Sequence, residues 1–331
     1  MAKGAAKKPV VGVDMGGTKI LAGVVDDSGK ILGASKRATK AYAGPDEVIE
    51  RMAKTVLEAV ERAGLKMEDI AAVGAGTPGP LDPDEGIIWH TPNLPGWVDI
   101  PLAARLSERL ETPVFIDNDV NMGTLGECTL GAAQGVRDAV GIFVGTGIGG
   151  GLVLDGQLRQ GYRKNAAEVG HMVILADGPY CGCGKRGCAE SVASRTAIER
   201  DIRAGLKAGR QSVMTDMIKG EPNERITSGA LAQAYRAGDP LVTEVLGRAQ
   251  YYLGLLASAI INLVDLEVIV FGGGVVEALG EDFLAPIRPV AYQYSLNQTD
   301  IETVKIVPAK LGDNAALLGA AVYARERIGK K

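Results

Sequence analysis

Two glycine-rich turns carry the first chemical signal: DMGGT at 14–18 and GTGIGGG at 145–151, each joining two apolar runs. Glycine lets backbone N–H groups approach an anion with no side chain in the way, and Thr18 and Thr146 add hydroxyl donors. Asp14 stands beside the first turn. It could hold Mg2+ through water, because magnesium takes few carboxylates and keeps its waters. Either turn alone also reads as an ordinary hairpin turn. Their recurrence at one place in two halves of the chain favours phosphate, with a triphosphate held between the loops across a cleft. No G-x-x-x-x-G-K-[ST] sequence is present, which excludes a Walker P-loop. The G-x-G-x-x-G at 145–150 is followed by GLVLDGQL, which is strand-like. A Rossmann dinucleotide site needs a helix there.

The acids come next. IDNDVNMGTLGE (116–127) sets Asp117, Asn118 and Asp119 where a strand ends and a helix begins. Ligands of open α/β sheets collect at the carboxyl ends of strands. Phosphoryl transfer to an alcohol needs an acceptor that orients the hydroxyl and takes its proton, and an aspartate held there fits. The local alternative is a helix N-cap, a position that Asp and Asn both favour. Further on, His171 is followed by Cys181, Cys183 and Cys188. His-x9-Cys-x-Cys-x4-Cys supplies four ligands, the count of a closed tetrahedral Zn2+ site. Such a site leaves no open position and is structural. A disulfide would strand one of the three thiols and conflicts with a reducing cytoplasm. Cys128 reads as a small core residue. Glu168 and Glu190 flank the cluster, so a zinc knuckle would fix two carboxylates in one neighbourhood, where they suit the hydroxyls of a polyol. Most glutamates are plain surface residues, and these two also read that way.

The elements that must position these groups are legible as pattern. Val10–Asp14 is a strand that ends in the first glycine turn, and LAGVVDDSGKIL reads as a hairpin. Pro45–Ala63 is a helix, Ile70–Gly74 a strand that empties into GAGTPGP, and Pro113–Ile116 a strand that runs into DND. The segment 140–156 can be laid on 11–27 at a constant offset of 129 residues, and EVIVFGGGVV (267–276) stands where AAVGAGTPG (71–79) stood. This predicts a duplicated βββαβ unit in an α/β layer architecture. Asp239-Pro240 opens a long helix whose uncharged stretch, 249–264, reads as buried core, and a last helix covers Asn314–Tyr323.

A chain of 331 residues suggests two domains, and 46% hydrophobic residues suffice for filled cores. The net charge of −4 and the lack of a basic stripe argue against nucleic acid as a partner. No stretch is long and apolar enough to suggest a membrane span, and no secretory signal is evident, so the expected compartment is the cytoplasm.

The motifs DMGGTKI (14–20), TPGP (77–80), NLPGW (93–97), DNDVNMGTLGE (117–127), GTGIGGG (145–151), AEVGH (167–171) and CGCGKRGCAE (181–190) keep one order along nearly the whole chain. In them the sequence resembles the ROK family of bacterial sugar kinases and repressors, within the actin-like ATPase superfamily, nearest its ATP-dependent glucokinases. The resemblance implies an α/β two-domain actin-like ATPase (ribonuclease H-like) fold with duplicated βββαβα units and a cleft between the domains. It implies a smaller domain of 1–117 plus 313–331 and a larger one of 118–312 that carries the zinc knuckle. It implies phosphorylation of the glucose 6-hydroxyl by ATP with Mg2+, with Asp119 as base. Sugar contacts fall on Gly76, Asn93, Asn118, Asp119, Glu168, His171 and Glu190. ATP contacts fall on Asp14, Gly16, Gly17, Thr18, Lys19, Gly145, Thr146, Gly147, Gly273 and Gly274. Structural Zn2+ ligands fall on His171, Cys181, Cys183 and Cys188. A homodimer or homotetramer is implied as well. Fructose, mannose, allose or N-acetylmannosamine are alternative acceptors, and a non-catalytic sugar sensor is an alternative role. ROK repressors carry an N-terminal helix-turn-helix, for which the nine residues before Val10 leave no room.

Overall fold

The computed structural model describes residues 8–91, 94–218 and 225–329. The strands of the first half are β1 (Val10–Met15), β2 (Lys19–Val25), β3 (Ile31–Ala38), β4 (Val73–Thr77), the short β5 (Leu81–Asp82), β6 (Ile87–His90) and β7 (Val98–Ile100), and β8 (Val114–Asn118). Five of them form a sheet in the order β3-β2-β1-β4-β8, and β5, β6 and β7 form a small separate sheet. In the larger sheet β1–β2 and β2–β3 are antiparallel, while β1–β4 and β4–β8 are parallel. All of β4 and nearly all of β1 are buried, as parallel strands covered on both faces must be, which is why they read as unbroken apolar runs.

The second half repeats this plan with β9 (Ala139–Val144), β10 (Ile148–Leu154), β11 (Gln157–Leu158), β12 (Val268–Gly272) and β13 (Lys305–Pro308). Their order is β11-β10-β9-β12-β13, with β12 parallel to both β9 and β13. β1 and β9 begin 129 residues apart, as do β2 and β10, which is the offset read from sequence. The β4 strand starts later than its sequence pattern suggests and runs on through Gly76 to Thr77. Its pairing with β1 begins at Val73, and a Cβ at Gly74 would run into the carbonyl of Ala320, so the bare backbone is what lets the last helix lie against the sheet.

Helix ends follow local chemistry. Pro45–Arg62 has proline in its first turn with Asp46 and Glu47 after it, and Gly64 follows at φ +72°. Pro240–Val264 is capped by Asp239, whose side chain accepts from Val242 N. That helix is not wholly core: Leu253, Leu256, Ala257 and Ile260 are buried, whereas Tyr251 and Leu263 are exposed. The last helix, Ala315–Ile328, outruns its sequence pattern by five residues.

By its contacts the chain forms two compact units. One comprises Met1–Gly135, Gly151–Ala166 and Asp313–Lys331, the other Val136–Gly150 and Ala167–Gly312. The division cuts β10 after Gly150, and the last helix belongs to the first unit. The boundary expected after residue 117 is therefore displaced, since 118–135 and 151–166 stay with the first unit. The cause is the Asp119–Leu130 helix, which packs on Ala315–Ile328 through Met122, Leu125, Ala320 and Tyr323. The two backbones meet so closely that a Cβ at Gly319 would run into the Met122 carbonyl.

Candidate active site

In the first unit, three neighbouring parallel strands end in register. Asp14 of β1 pairs with Gly76 of β4, and Gly76 pairs with Asp117 of β8. One row across the sheet therefore reads acid, glycine, acid. Asp119 comes two residues past Asp117, as the first residue of the Asp119–Leu130 helix. A Cβ at Gly76 would lie 3.2 Å from the Asp119 Cα, so glycine makes room for the helix start above the row. Asn118 is the cap: its Oδ1 accepts from Val120 N at 2.9 Å and Asn121 N at 3.3 Å. Asp117 is buried, with its Oδ1 accepting from Asn118 N at 2.6 Å and Asn121 Nδ2 at 2.8 Å, and its other oxygen accepting from Gln160 Nε2. Asp119 is half-buried, its Oδ1 3.0 Å from Val120 N.

Burial raises the Asp117 carboxyl, and Asp14 of the same row is shifted as well. Burial, and then the nearby charge of Asp119, push its carboxyl from the ordinary 3.8 up to about 7, and Lys19 opposes the rise. A desolvated acid facing a second acid suits a divalent cation, so Asp14 could hold Mg2+. Lys19 forms an ion pair with Asp313 at 2.9 Å, which holds the Asp313 carboxyl below its usual range. The DMGGT turn is a hairpin turn as well as a glycine loop: Gly16 N donates to Lys19 O at 2.9 Å, and Thr39 Oγ1 donates to Gly16 O at 2.6 Å.

In the second unit, β9 runs into Gly145, Thr146 and Gly147, and β12 runs into Gly273 and Gly274. Gly273 has φ +93°, and a Cβ there would meet the Val144 carbonyl, so only glycine serves. The 145–147 turn is closed by Gly145 N donating to Gly147 O at 2.9 Å. Arg195 N also donates to Gly145 O at 3.0 Å, and Thr196 Oγ1 to Thr146 O at 2.7 Å.

The ligating atoms of His171, Cys181, Cys183 and Cys188 all lie within 4.8 Å of one another. Cys181 Sγ is 3.7 Å from His171 Nδ1, and Cys183 Sγ is 3.7 Å from Cys188 Sγ. A tetrahedron with Zn–S bonds of about 2.3 Å has S···S edges of about 3.7 Å, so the set fits a zinc ion. All the cysteines are free thiols. Tight turns shape the knuckle, with Gly184 at φ +85° and Gly187 at φ +74°. Glu190 sits two residues past Cys188, with its Oε1 3.4 Å from Cys181 Sγ and its Oε2 accepting from Ile148 N at 3.0 Å. Glu168 is exposed, and its backbone carbonyl accepts from His171 N at 3.0 Å. Cys128 is buried and its thiol is pushed up to about 12, in keeping with a core role.

The first unit thus gathers Asp14, Gly16, Gly17, Thr18, Lys19, Gly76, Asn118 and Asp119. The second holds Gly145, Thr146, Gly147, Glu168, His171, Glu190, Gly273, Gly274 and the cysteines. Asn93 lies outside the described residues. Sequence reasoning missed Gln160, Asp313, Arg195 and Thr196. Gln160 and Arg195 have no local signature, whereas Asp313 and Thr196 stand at helix starts where capping residues are common.

A five-stranded β-sheet plan that occurs twice, each time with glycine turns at its strand ends, is that of the actin-like ATPases. Within them the chain belongs to the ROK family, which its residues 10–327 match. It is 38% identical over 323 residues to the glucokinase of Thermotoga maritima, covering 98% of this chain and 99% of that one. Among solved structures it is similar to the ROK hexokinase of Thermus thermophilus, with a TM-score of 0.82, 36% identity, and coverage of 98% and 100% of the two chains. It is also similar to a ROK family glucokinase from Streptomyces griseus in complex with glucose and AMPPNP, with a TM-score of 0.83, 34% identity, and coverage of 96% and 99%. No helix among the described residues is long and apolar enough to cross a membrane.

Proposed function

We propose that the protein transfers the γ-phosphoryl group of ATP to the 6-hydroxyl of glucose. The observation that carries this reading is the row Asp14–Gly76–Asp117 with Asp119 above it, in a chain whose curated relatives include a glucokinase at 38% identity. Asp119 is the general base. Its carboxylate accepts the proton as the sugar O6–H bond breaks, O6 bonds to the γ-phosphorus, and the bond to the β,γ-bridging oxygen of ATP breaks, releasing ADP. Asn118 serves this step as a positioning residue, since its side chain caps the helix and leaves the carboxylate next to it for chemistry. The two glycine turns and Gly273–Gly274 contact the nucleotide. Gly76, Asn93, Asn118, Glu168, His171 and Glu190 contact the sugar.

Asp14 would hold Mg2+, which when bound supplies neutralisation of the charge on the transferring phosphates. His171, Cys181, Cys183 and Cys188 would hold Zn2+ with no position open to substrate, so its role is structural. The free thiols fit a reducing cytoplasm. The homodimer or homotetramer that the family resemblance implies is distinguished by light scattering.

Replacing Asp119 by Asn keeps the side chain's shape and removes its basicity. We expect kcat to fall by about 10³-fold or more, with glucose affinity changed only a few-fold. Turnover within tenfold of the parent would reject Asp119 as base. Metal analysis of purified protein should return about one zinc per chain. A metal-free, fully active preparation would contradict the knuckle assignment.

A further inference from the structure

The 145–148 segment lies against residues 190–196. Four hydrogen bonds reach it from residues 190–196. Arg195 N donates to Gly145 O at 3.0 Å and Arg195 Nη2 to Thr146 Oγ1 at 3.4 Å. Thr196 Oγ1 donates to Thr146 O at 2.7 Å, and Ile148 N donates to Glu190 Oε2 at 3.0 Å. Residues 190–196 are the direct continuation of the cysteine knuckle. Cys188 is the residue before the five-residue helix Ala189–Ala193, and Ser191 N and Oγ both donate to its carbonyl, at 2.9 and 2.8 Å. The helix then ends at Ser194, whose N donates to Glu190 O at 3.2 Å, and Arg195 follows at once.

Glu190 is the side chain that spans this arrangement. Its Oε2 holds Ile148 N, and its Oε1 rests 3.4 Å from Cys181 Sγ. It lies so close under the turn that a Cβ at Gly147 would meet the same carboxylate oxygen. The Oε1 contact is made by the Cys181 thiol, which a bound metal would deprotonate, so with metal present the link runs from Cys188 through the Ala189–Ala193 helix to Glu190 Oε2 and Ile148 N. The Cys181–Cys188 turn is built from short backbone bonds, such as Gly184 N to Cys181 O at 3.0 Å, and four side chains that a metal would pull together. Metal binding in such sites supplies order that the apo segment lacks.

We infer that Glu190 is a positioning residue joining the metal knuckle to the nucleotide turn, so that metal occupancy sets nucleotide affinity even when no sugar is present. This rests on the reading of Gly145–Gly147 as a nucleotide contact. It adds a role for Glu190 that is separate from the sugar contact.

The test is calorimetric titration of ADP with Mg2+ into the full chain, without sugar, in four proteins: wild type, Glu190→Gln, Glu190→Asp and Glu190→Ala. Each is measured zinc-loaded and after chelator treatment, with circular dichroism to monitor folding. The zinc-loaded Ala variant should bind ADP about tenfold more weakly than wild type, the scale of a lost hydrogen bond to a charged group. Glu190→Asp, one methylene too short for the span, should behave like Ala and decides the matter if Ala does not fold. Glu190→Gln keeps an oxygen for Ile148 N and should stay within about twofold when zinc-loaded. Chelation should weaken wild type by a similar factor and should add little to the Ala or Asp variants, because both changes break one link. Zinc-loaded Ala and Asp variants that bind ADP like wild type would overturn the inference, as would chelation and substitution effects that multiply independently. A zinc-loaded wild type that binds no ADP would reject the nucleotide reading of the turn itself, and the inference with it.

Discussion

Asp14 is where the chemistry of the first unit becomes measurable without substrate. Burial raises its carboxyl from 3.8 to about 7, and Asp119 adds to the rise. The folded chain therefore holds a proton there that the unfolded chain releases near pH 4. The stability linked to that proton is full below the unfolded value, is lost as pH rises toward about 7, and stays level above it. Asp14→Asn has nothing to titrate. In metal-free and nucleotide-free buffer, its melting temperature should rise relative to wild type by a few degrees between pH 4.5 and 8, as read by scanning calorimetry. A difference that does not change with pH would contradict the shifted carboxyl. Among residues, identity was legible but division of labour was not. DND reads as a catalytic turn or as a cap, and only hydrogen-bond geometry shows that Asn118 caps the helix. The His-Cys cluster was legible because its members lie close in the chain. Gln160, which donates to buried Asp117 from 43 residues away, carries no local mark.

Among elements, a helix crossing in the first unit brings two backbones close together. The Asp119–Leu130 helix touches Ala315–Ile328 where a Cβ at Gly319 would strike the Met122 carbonyl, a group in rigid backbone. Gly319→Ala should therefore destabilise the fold by about 2–3 kcal/mol, as overpacking does, and lower activity by shifting the helix that begins at Asp119. Gly247, exposed in the Pro240–Val264 helix with nothing near its Cβ position, is the counterpart. Gly247→Ala should stabilise by about 1 kcal/mol through helix propensity alone. Urea melts of the two variants should move in opposite directions, and two shifts of the same sign would refute the crossing argument. The strand repeat was legible because the offset of 129 residues survives in the β1–β2 and β9–β10 pairs. The end of β4 and the length of the last helix were not legible: Gly74 and Gly76 interrupt the apolar run of β4, and Arg325, Glu326 and Arg327 carry the helix past its apolar pattern. The exposed face of the long helix was hidden because its outward residues include Tyr251 and Leu263, which read as core.

At the scale of the molecule, sequence order showed two α/β halves and the family, whose match spans residues 10–327. It did not show that 118–135 and 151–166 group with the first unit, because the helix packing that draws them there joins segments nearly two hundred residues apart. The proposed transfer gives roles to Asp14, Asp119, the 145–147 turn, Glu168 and Glu190. One assay engages all of them together. In a coupled ADP-release measurement with ATP and Mg2+, the account predicts glucose-dependent turnover that leaves the phosphate on O6. It predicts a higher kcat/KM for glucose than for fructose, mannose, allose or N-acetylmannosamine. ADP release that no sugar stimulates, or a clear preference for another of these sugars, would contradict it.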